Sequence, residues 1–203
     1  MNQICKEKYI DFIDISKREI VDFLDNMDYS AIEQAAELIS KAKANGCRLH
    51  ISGIGKPGHV AAYMASLLSS TGTPTYFLHG TEAVHGSCGQ LVPGDVVIFI
   101  SNSGETSEMK ATVAAVKNNG CPVIGISRNS ESWLAKESDL HIPARVELEG
   151  GPLNRAPRMS IIAEVLVLQA LSVVLQSEVD VKPEQYVKWH PGGSLGKLRK
   201  EEL

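Results

Sequence analysis

Residues 96–108 read Val96-Val-Ile-Phe-Ile-Ser-Asn-Ser-Gly-Glu-Thr-Ser-Glu108, an apolar half followed by a hydroxyl-rich half. Val96 to Ile100 is an unbroken, largely β-branched run bounded by Gly94 and Asp95. Such a run suits a strand buried on both faces of a parallel sheet. Beyond it, Ser101, Ser103, Thr106 and Ser107 surround Gly104 where the strand should pass into a helix. Hydroxyls and free backbone N–H groups converging at a helix start make a place for a phosphate.

Outward from that strand the chain alternates. Further strands are predicted at 48–52, 74–78, 122–127 and 139–142. Helices are predicted at 59–70, 106–118 and 130–136, with one helical turn at 82–87. Strands separated by helices imply right-handed crossovers and a parallel sheet covered on both faces. Upstream, the apolar residues between Ile10 and Leu24 predict one or two amphipathic helical turns. Ser30 with Glu33 forms a capping-box start for a helix that runs to Lys43 and stops at Gly46. Downstream, 149–158 is too rich in Gly and Pro for either regular period and reads as a functional loop. The segment 160–175 is apolar almost all round, so a sheet on one side and a partner subunit on the other should cover it. The tail, Trp189-His-Pro-Gly-Gly-Ser-Leu-Gly196, reads as a glycine-rich loop unlike a disordered terminus.

Composition narrows the function. The 203 residues, 43% of them hydrophobic, fill one domain. A formal net charge of -4 without a Lys/Arg stripe argues against a nucleic-acid surface and for a small solute. No apolar run approaches the ~20 residues of a membrane span, and the first residues lack signal-peptide order, so a cytoplasmic protein is expected. Cys5, Cys47, Cys88 and Cys121 show no C-x-x-C spacing and read as free buried thiols. Six histidines without a paired motif point to no metal site, and no cofactor is expected.

Several residues are candidates for chemistry. Gly53-Ile-Gly-Lys-Pro-Gly58 lies between a strand and a helix but matches neither a Walker A loop nor a dinucleotide fingerprint. It is either a tight turn with a solvated Lys56 or a place where Lys56 meets an anion. His85 and His190 both neighbour glycines. Glu105 and Glu108 fall where carboxylates complement a helix dipole, and Glu149 opens the Gly/Pro loop.

Taken in order, these motifs resemble the sugar isomerase (SIS) domain family, and within it the arabinose 5-phosphate isomerases. The resemblance is carried by Gly53-Ile-Gly-Lys-Pro-Gly-His59, Ser70-Thr-Gly-Thr-Pro74, Glu82-Ala-Val-His-Gly86, Ile100 to Glu108, Pro152-Leu-Asn-Arg-Ala-Pro157 and His190-Pro-Gly-Gly-Ser-Leu-Gly196. It implies a three-layer α/β/α sandwich around a five-stranded parallel sheet of flavodoxin-like type, occupying residues 46–196. Residues 1–45 would form N-terminal helices packed on the core or a partner, and 197–203 a tail. The resemblance further implies a homotetramer with active sites at subunit interfaces. Its reaction would interconvert D-ribulose 5-phosphate and D-arabinose 5-phosphate. Carried over residue by residue, the active-site group is Lys56, His85, Glu108, Glu149 and His190. The phosphate would be held by Ser101, Asn102, Ser103, Thr106 and Gly55. The chain departs from the family in having Arg158 and Met159 where Thr and Ser are usual. Many bacterial relatives continue into paired CBS domains, and a form without them is expected here.

An aldose–ketose isomerisation needs a base, a partner that protonates oxygens and a clamp on the phosphate. Glu149 is the expected base. His190 of a neighbouring subunit would open the ring and shuttle protons, His85 and Glu108 would orient hydroxyls, and Lys56 would neutralise charge. Two other readings stay open: a phosphosugar sensor without catalysis, and an isomerase of another ketose phosphate such as a hexulose 6-phosphate.

Overall fold

The computed structural model describes residues 2–202. Its centre is a five-stranded, all-parallel sheet in the order β2-β1-β3-β4-β5. The strands are β1 (Leu49–Gly53), β2 (Thr75–Phe77), β3 (Val96–Ile100), β4 (Val123–Ser127) and β5 (Leu140–Pro143). Every residue of β1, β3 and β4 is buried. Side chains alternate across a strand, so Val96, Ile98 and Ile100 enter one apolar cluster while Val97 and Phe99 enter another.

Those two clusters are the two faces of a three-layer sandwich. One is packed by α2 (Tyr29–Ala44), α3 (Lys56–Ser70) and α6 (Met159–Val179). The other is packed by α4 (Ser107–Asn118), α5 (Trp133–Glu137) and the 3₁₀ turns Glu82–His85 and Ser87–Gln90. The strand order reverses between β1 and β3, so a crevice opens beyond the carboxyl ends of those strands.

At the opposite ends of the same two strands, Asp95 is fully buried. Its carboxylate accepts the backbone N–H groups of Arg48 (2.8 Å) and Val92 (3.0 Å) and the Arg48 guanidinium (3.0 Å), with His50 Nε2 at 3.1 Å. Burial works to raise the Asp95 pKa, but these bonds outweigh it and hold the carboxyl below its ordinary range. The cluster ties the starts of β1 and β3 together beneath the crevice.

Four expectations need correction. The N-terminal turns are one helix, α1 (Gln3–Asp25), whose side chains are mostly exposed and whose periodicity is therefore weak; Asn2 caps it by accepting the Cys5 N–H. Asp28, not Ser30, caps α2 by accepting the Ala31 N–H at 3.0 Å, and Ser30 takes the Gln34 amide instead. The tail contains an unforeseen helix, α7 (Pro183–Trp189), with proline in its first turn. Of the four thiols, all free, Cys121 is buried, Cys47 and Cys88 are half-buried and Cys5 is exposed.

The helix α6 also differs from expectation. At 21 residues it is long and apolar enough, by length and composition alone, to cross a membrane. Its apolarity serves packing against α1, α2 and α3, with Val167, Leu168 and Leu171 fully buried. Helices rather than the sheet are its main cover.

Candidate active site

The serine loop grows directly out of β3. The Ser101 N–H donates to the Ile126 carbonyl (3.0 Å), which continues the β3–β4 pairing by one residue. Ser101 Oγ then accepts the Gly104 N–H at 3.2 Å and lies 3.3 Å from Thr106 Oγ1. Gly104 has φ of 68°, and a Cβ there would strike the Ser132 side chain, so only glycine turns the loop this way. Thr106 stands at the N-cap of α4 without a side-chain cap bond, and of the first-turn N–H groups that of Glu108 is taken by its own carboxylate.

Beside this loop lies a cavity of about 300 Å³ at the reversal of strand order. Ser101, Asn102, Ser103 and Thr106 form one wall, and Ile54 of the β1–α3 turn with Pro57 of the first turn of α3 another. Glu149 and Arg155 enter from the Gly/Pro loop, and Ser160 and Glu164 from α6.

Glu149 is fixed by backbone. Its Oε2 accepts the N–H groups of Arg158 (2.6 Å) and Ser160 (3.1 Å), so the carboxylate caps the N-terminus of α6. Asn154 Oδ1 in turn accepts the N–H groups of Glu149 (2.8 Å) and Gly150 (2.9 Å), which holds the loop to its own start. Glu164 is in a different situation. It is 1% exposed, and neither carboxyl oxygen has a partner among the described residues. Burial first, then the charge of Glu149, pushes its pKa up to about 8.

The other expected residues lie outside the cavity lining. Gly55 is the N-cap of α3 with φ of 67°, and Lys56, the first residue of that helix, is exposed. A Cβ on Gly53 would stand 2.7 Å from the Pro57 backbone, so Gly53 and Gly58 serve the tight turn. His85 is exposed at the end of its 3₁₀ turn. Glu108 is exposed too; its own backbone N–H and then the Ser107 hydroxyl (2.8 Å) hold its carboxyl below the ordinary range. Glu105 pairs with Lys110 (2.7 Å) and accepts the Trp133 N–H (2.7 Å), a structural role at the start of α5.

His190 is farther away. Its Nδ1 lies 2.8 Å from the Tyr186 carbonyl and its ring stacks on Tyr186 at 4.0 Å. The neighbouring Trp189 sits against Gly72, at the end of α3. Since α3 runs back along the sheet, this is the end opposite the serine loop. Within one chain, therefore, Ser101, Asn102, Ser103, Thr106 and Glu149 meet, and His190 does not join them.

The SIS domain family matches residues 42–174, a span that takes in the whole sheet, the serine loop and most of α6. The chain belongs to the SIS domain family. Arabinose 5-phosphate isomerase KdsD of Shigella flexneri is 42% identical over 147 residues, which are 72% of this chain and 45% of that protein. KdsD of Francisella tularensis is 36% identical over 179 residues, 88% of this chain and 55% of that protein. The chain spans about half the length of these curated relatives. Among solved structures, the c3406 protein of E. coli CFT073 in complex with arabinose 5-phosphate has a TM-score of 0.80 at 33% identity, covering 94% of this chain and 100% of that one.

In this SIS domain the Arg158 and Met159 departure falls outside the cavity. Arg158 reaches the Gly150 carbonyl (3.3 Å) and lies over the Phe12 ring (5.9 Å), while Met159 is buried in the core. Two charged cavity residues, Arg155 and Glu164, are not legible as site residues in the sequence. Arg155 stands there only as one more cation of the Gly/Pro loop. Glu164 is hidden in the apolar run of α6, where its signal is a lone carboxylate on a helix apolar all round.

Proposed function

We propose that this SIS domain is an aldose–ketose isomerase of sugar phosphates that interconverts D-ribulose 5-phosphate and D-arabinose 5-phosphate. The reading is carried by one juxtaposition: a hydroxyl-lined loop at a helix N-terminus on one wall of the cavity and the fixed carboxylate of Glu149 on another. The names of the relatives support the choice of sugar.

The chemistry follows from that arrangement. The serine loop holds the phosphate through Ser101, Ser103, Thr106 and the first N–H groups of α4, with Asn102 and Gly55 beside it. Glu149, oriented through Oε2, takes the proton from the carbon next to the carbonyl. Lys56 offsets the developing charge, and His85 and Glu108 orient hydroxyls from the surrounding turns. His190 of the partner subunit supplies ring opening, because its own chain holds it at the other end of the sheet. The protein is then a homo-oligomer, a tetramer in our reading, that works in the cytoplasm, where phosphorylated sugars are retained. Exposed Ile4, Tyr9, Ile10 and Val21 on α1 offer apolar surface for assembly.

A panel of ketose phosphates, followed by NMR in deuterated water, tests the reading. Conversion of ribulose 5-phosphate to arabinose 5-phosphate with solvent deuterium at C2 is expected. Turnover of a hexulose 6-phosphate alone would change the substrate, and binding without exchange would identify a sensor.

A further inference from the structure

Glu164 is out of place in α6. Its neighbours are Ala163, Val165, Leu166 and Val167, yet its carboxyl is buried with both oxygens unpartnered among the described residues. One turn earlier on the same face, Ser160 is fully buried and its hydroxyl is unpartnered as well. Asn102 Oδ1, across the cavity, is a third such atom. Groups of this kind are destabilising when nothing bonds them. Methionine or leucine would fill the same volume on α6 without that penalty. Three unpartnered groups lining one cavity are matched by a ligand with several oxygens.

We propose that Glu164 is a catalytic residue that passes a proton to one sugar oxygen and takes one back from the next, working opposite Glu149. The inference rests on the isomerase reading above. From a ketose, the Glu149 carboxylate removes a proton from C1, and the C1–H pair becomes the C1=C2 bond. The C2=O2 π pair moves onto O2, which takes the Glu164 proton and leaves an enediol with a Glu164 carboxylate. In the return half, O1 gives its proton to Glu164 and its bond pair forms C1=O1. The C1=C2 pair meanwhile takes the proton from Glu149 at C2. An aldose results, both carboxyls return to their starting forms, and no further reactant is needed. The buried Glu164 carboxyl carries the proton near neutral pH, with its pKa pushed up to about 8. A carboxyl that stays protonated at pH 7 can serve there as the acid of a proton transfer.

Glu164→Gln keeps the size and a hydrogen-bond donor but transfers no proton. Its kcat with ribulose 5-phosphate is expected to fall roughly 10²-fold or more, while KM stays within about 3-fold. A kcat within about 5-fold of wild type, or a loss confined to KM, overturns the proposal. Since a variant at a buried site can fail to fold, wild-type protein carrying ¹³C at glutamate Cδ supplies a second measurement. One glutamate is expected to titrate near 8 and to shift when ribulose 5-phosphate binds. Titration of every glutamate below about 6 overturns the proposal. Wild-type protein that binds the sugar phosphate but never turns it over defeats the isomerase reading and the proton transfer together. Wild-type turnover with an unimpaired Glu164→Gln defeats the role of Glu164 alone.

Discussion

Glu149 Oε2 accepts the backbone N–H of Ser160 at 3.1 Å and that of Arg158 at 2.6 Å, so the proposed base also holds the start of α6. The two duties separate by substitution. Glu149→Gln keeps an acceptor for the backbone and is expected to lose roughly 10²-fold in kcat with little loss of stability. Glu149→Ala is expected to lose as much activity and, in addition, about 1 kcal/mol of stability, as for a deleted cap. Steady-state kinetics beside urea unfolding read both effects. A Gln variant within a few-fold of wild type would remove Glu149 as the base.

The serine loop predicts a different pattern. Ser101 Oγ accepts the Gly104 N–H and neighbours Thr106, in the wall proposed to hold the phosphate. Ser101→Ala is expected to raise KM about 10-fold with kcat nearly unchanged, the mark of an interaction equal in ground and transition states. Gly104→Ala meets both a left-handed φ and the Ser132 side chain, and is expected to destabilise the protein by about 1–3 kcal/mol. Competition by inorganic phosphate should weaken in both variants.

The contribution of Glu164 to stability should fall as pH rises through neutrality, whereas His50 and His141, whose pKa values burial lowers, act in the opposite sense below their ordinary 6.5. Below 4.5, the ordinary value for Glu164, folded and unfolded chains both hold the proton. Between 4.5 and about 8 only the folded chain does, so the Glu164 contribution declines by about 1.4 kcal/mol per pH unit and levels off above about 8. Glu164→Gln should flatten this slope in urea titrations taken from pH 5 to 8.5. Asp95 acts in a separate window, because its lowered pKa gives stability that is lost only as pH falls below its ordinary 3.8.

The placement of His190 predicts complementation. Glu149→Gln and His190→Ala proteins are each expected to be inactive. Refolded together, hybrid sites combine an intact Glu149 from one chain with an intact His190 from the other, and roughly a quarter of sites regain activity. Recovery in the mixed assay supports an intersubunit site; its absence puts the proton shuttle elsewhere.

Much of this molecule is readable from residue pattern. Val96–Ile100 is readable to the residue because an apolar run between Gly94 and Asp95 suits a strand buried on both faces. The exposed α1 is not, since few of its positions must be apolar. The cap of α2 moves from Ser30 to Asp28 because both residue types suit the position and only geometry chooses. Glu164 escapes notice because periodicity counts apolar positions and passes over one carboxylate among them. His190 can be named from its motif but not positioned, since its proposed site requires a second chain.

On the proposed reading, the cavity between the serine loop and Glu149 isomerises a pentose phosphate. Following ribulose 5-phosphate labelled with ¹³C at its carbonyl carbon by NMR in deuterated water, with purified protein, tests it most directly. Arabinose 5-phosphate carrying one deuterium at C2 is expected, with a roughly 10²-fold slower reaction for Glu149→Gln. Saturable binding of the sugar phosphate with no exchange and no aldose product would contradict it.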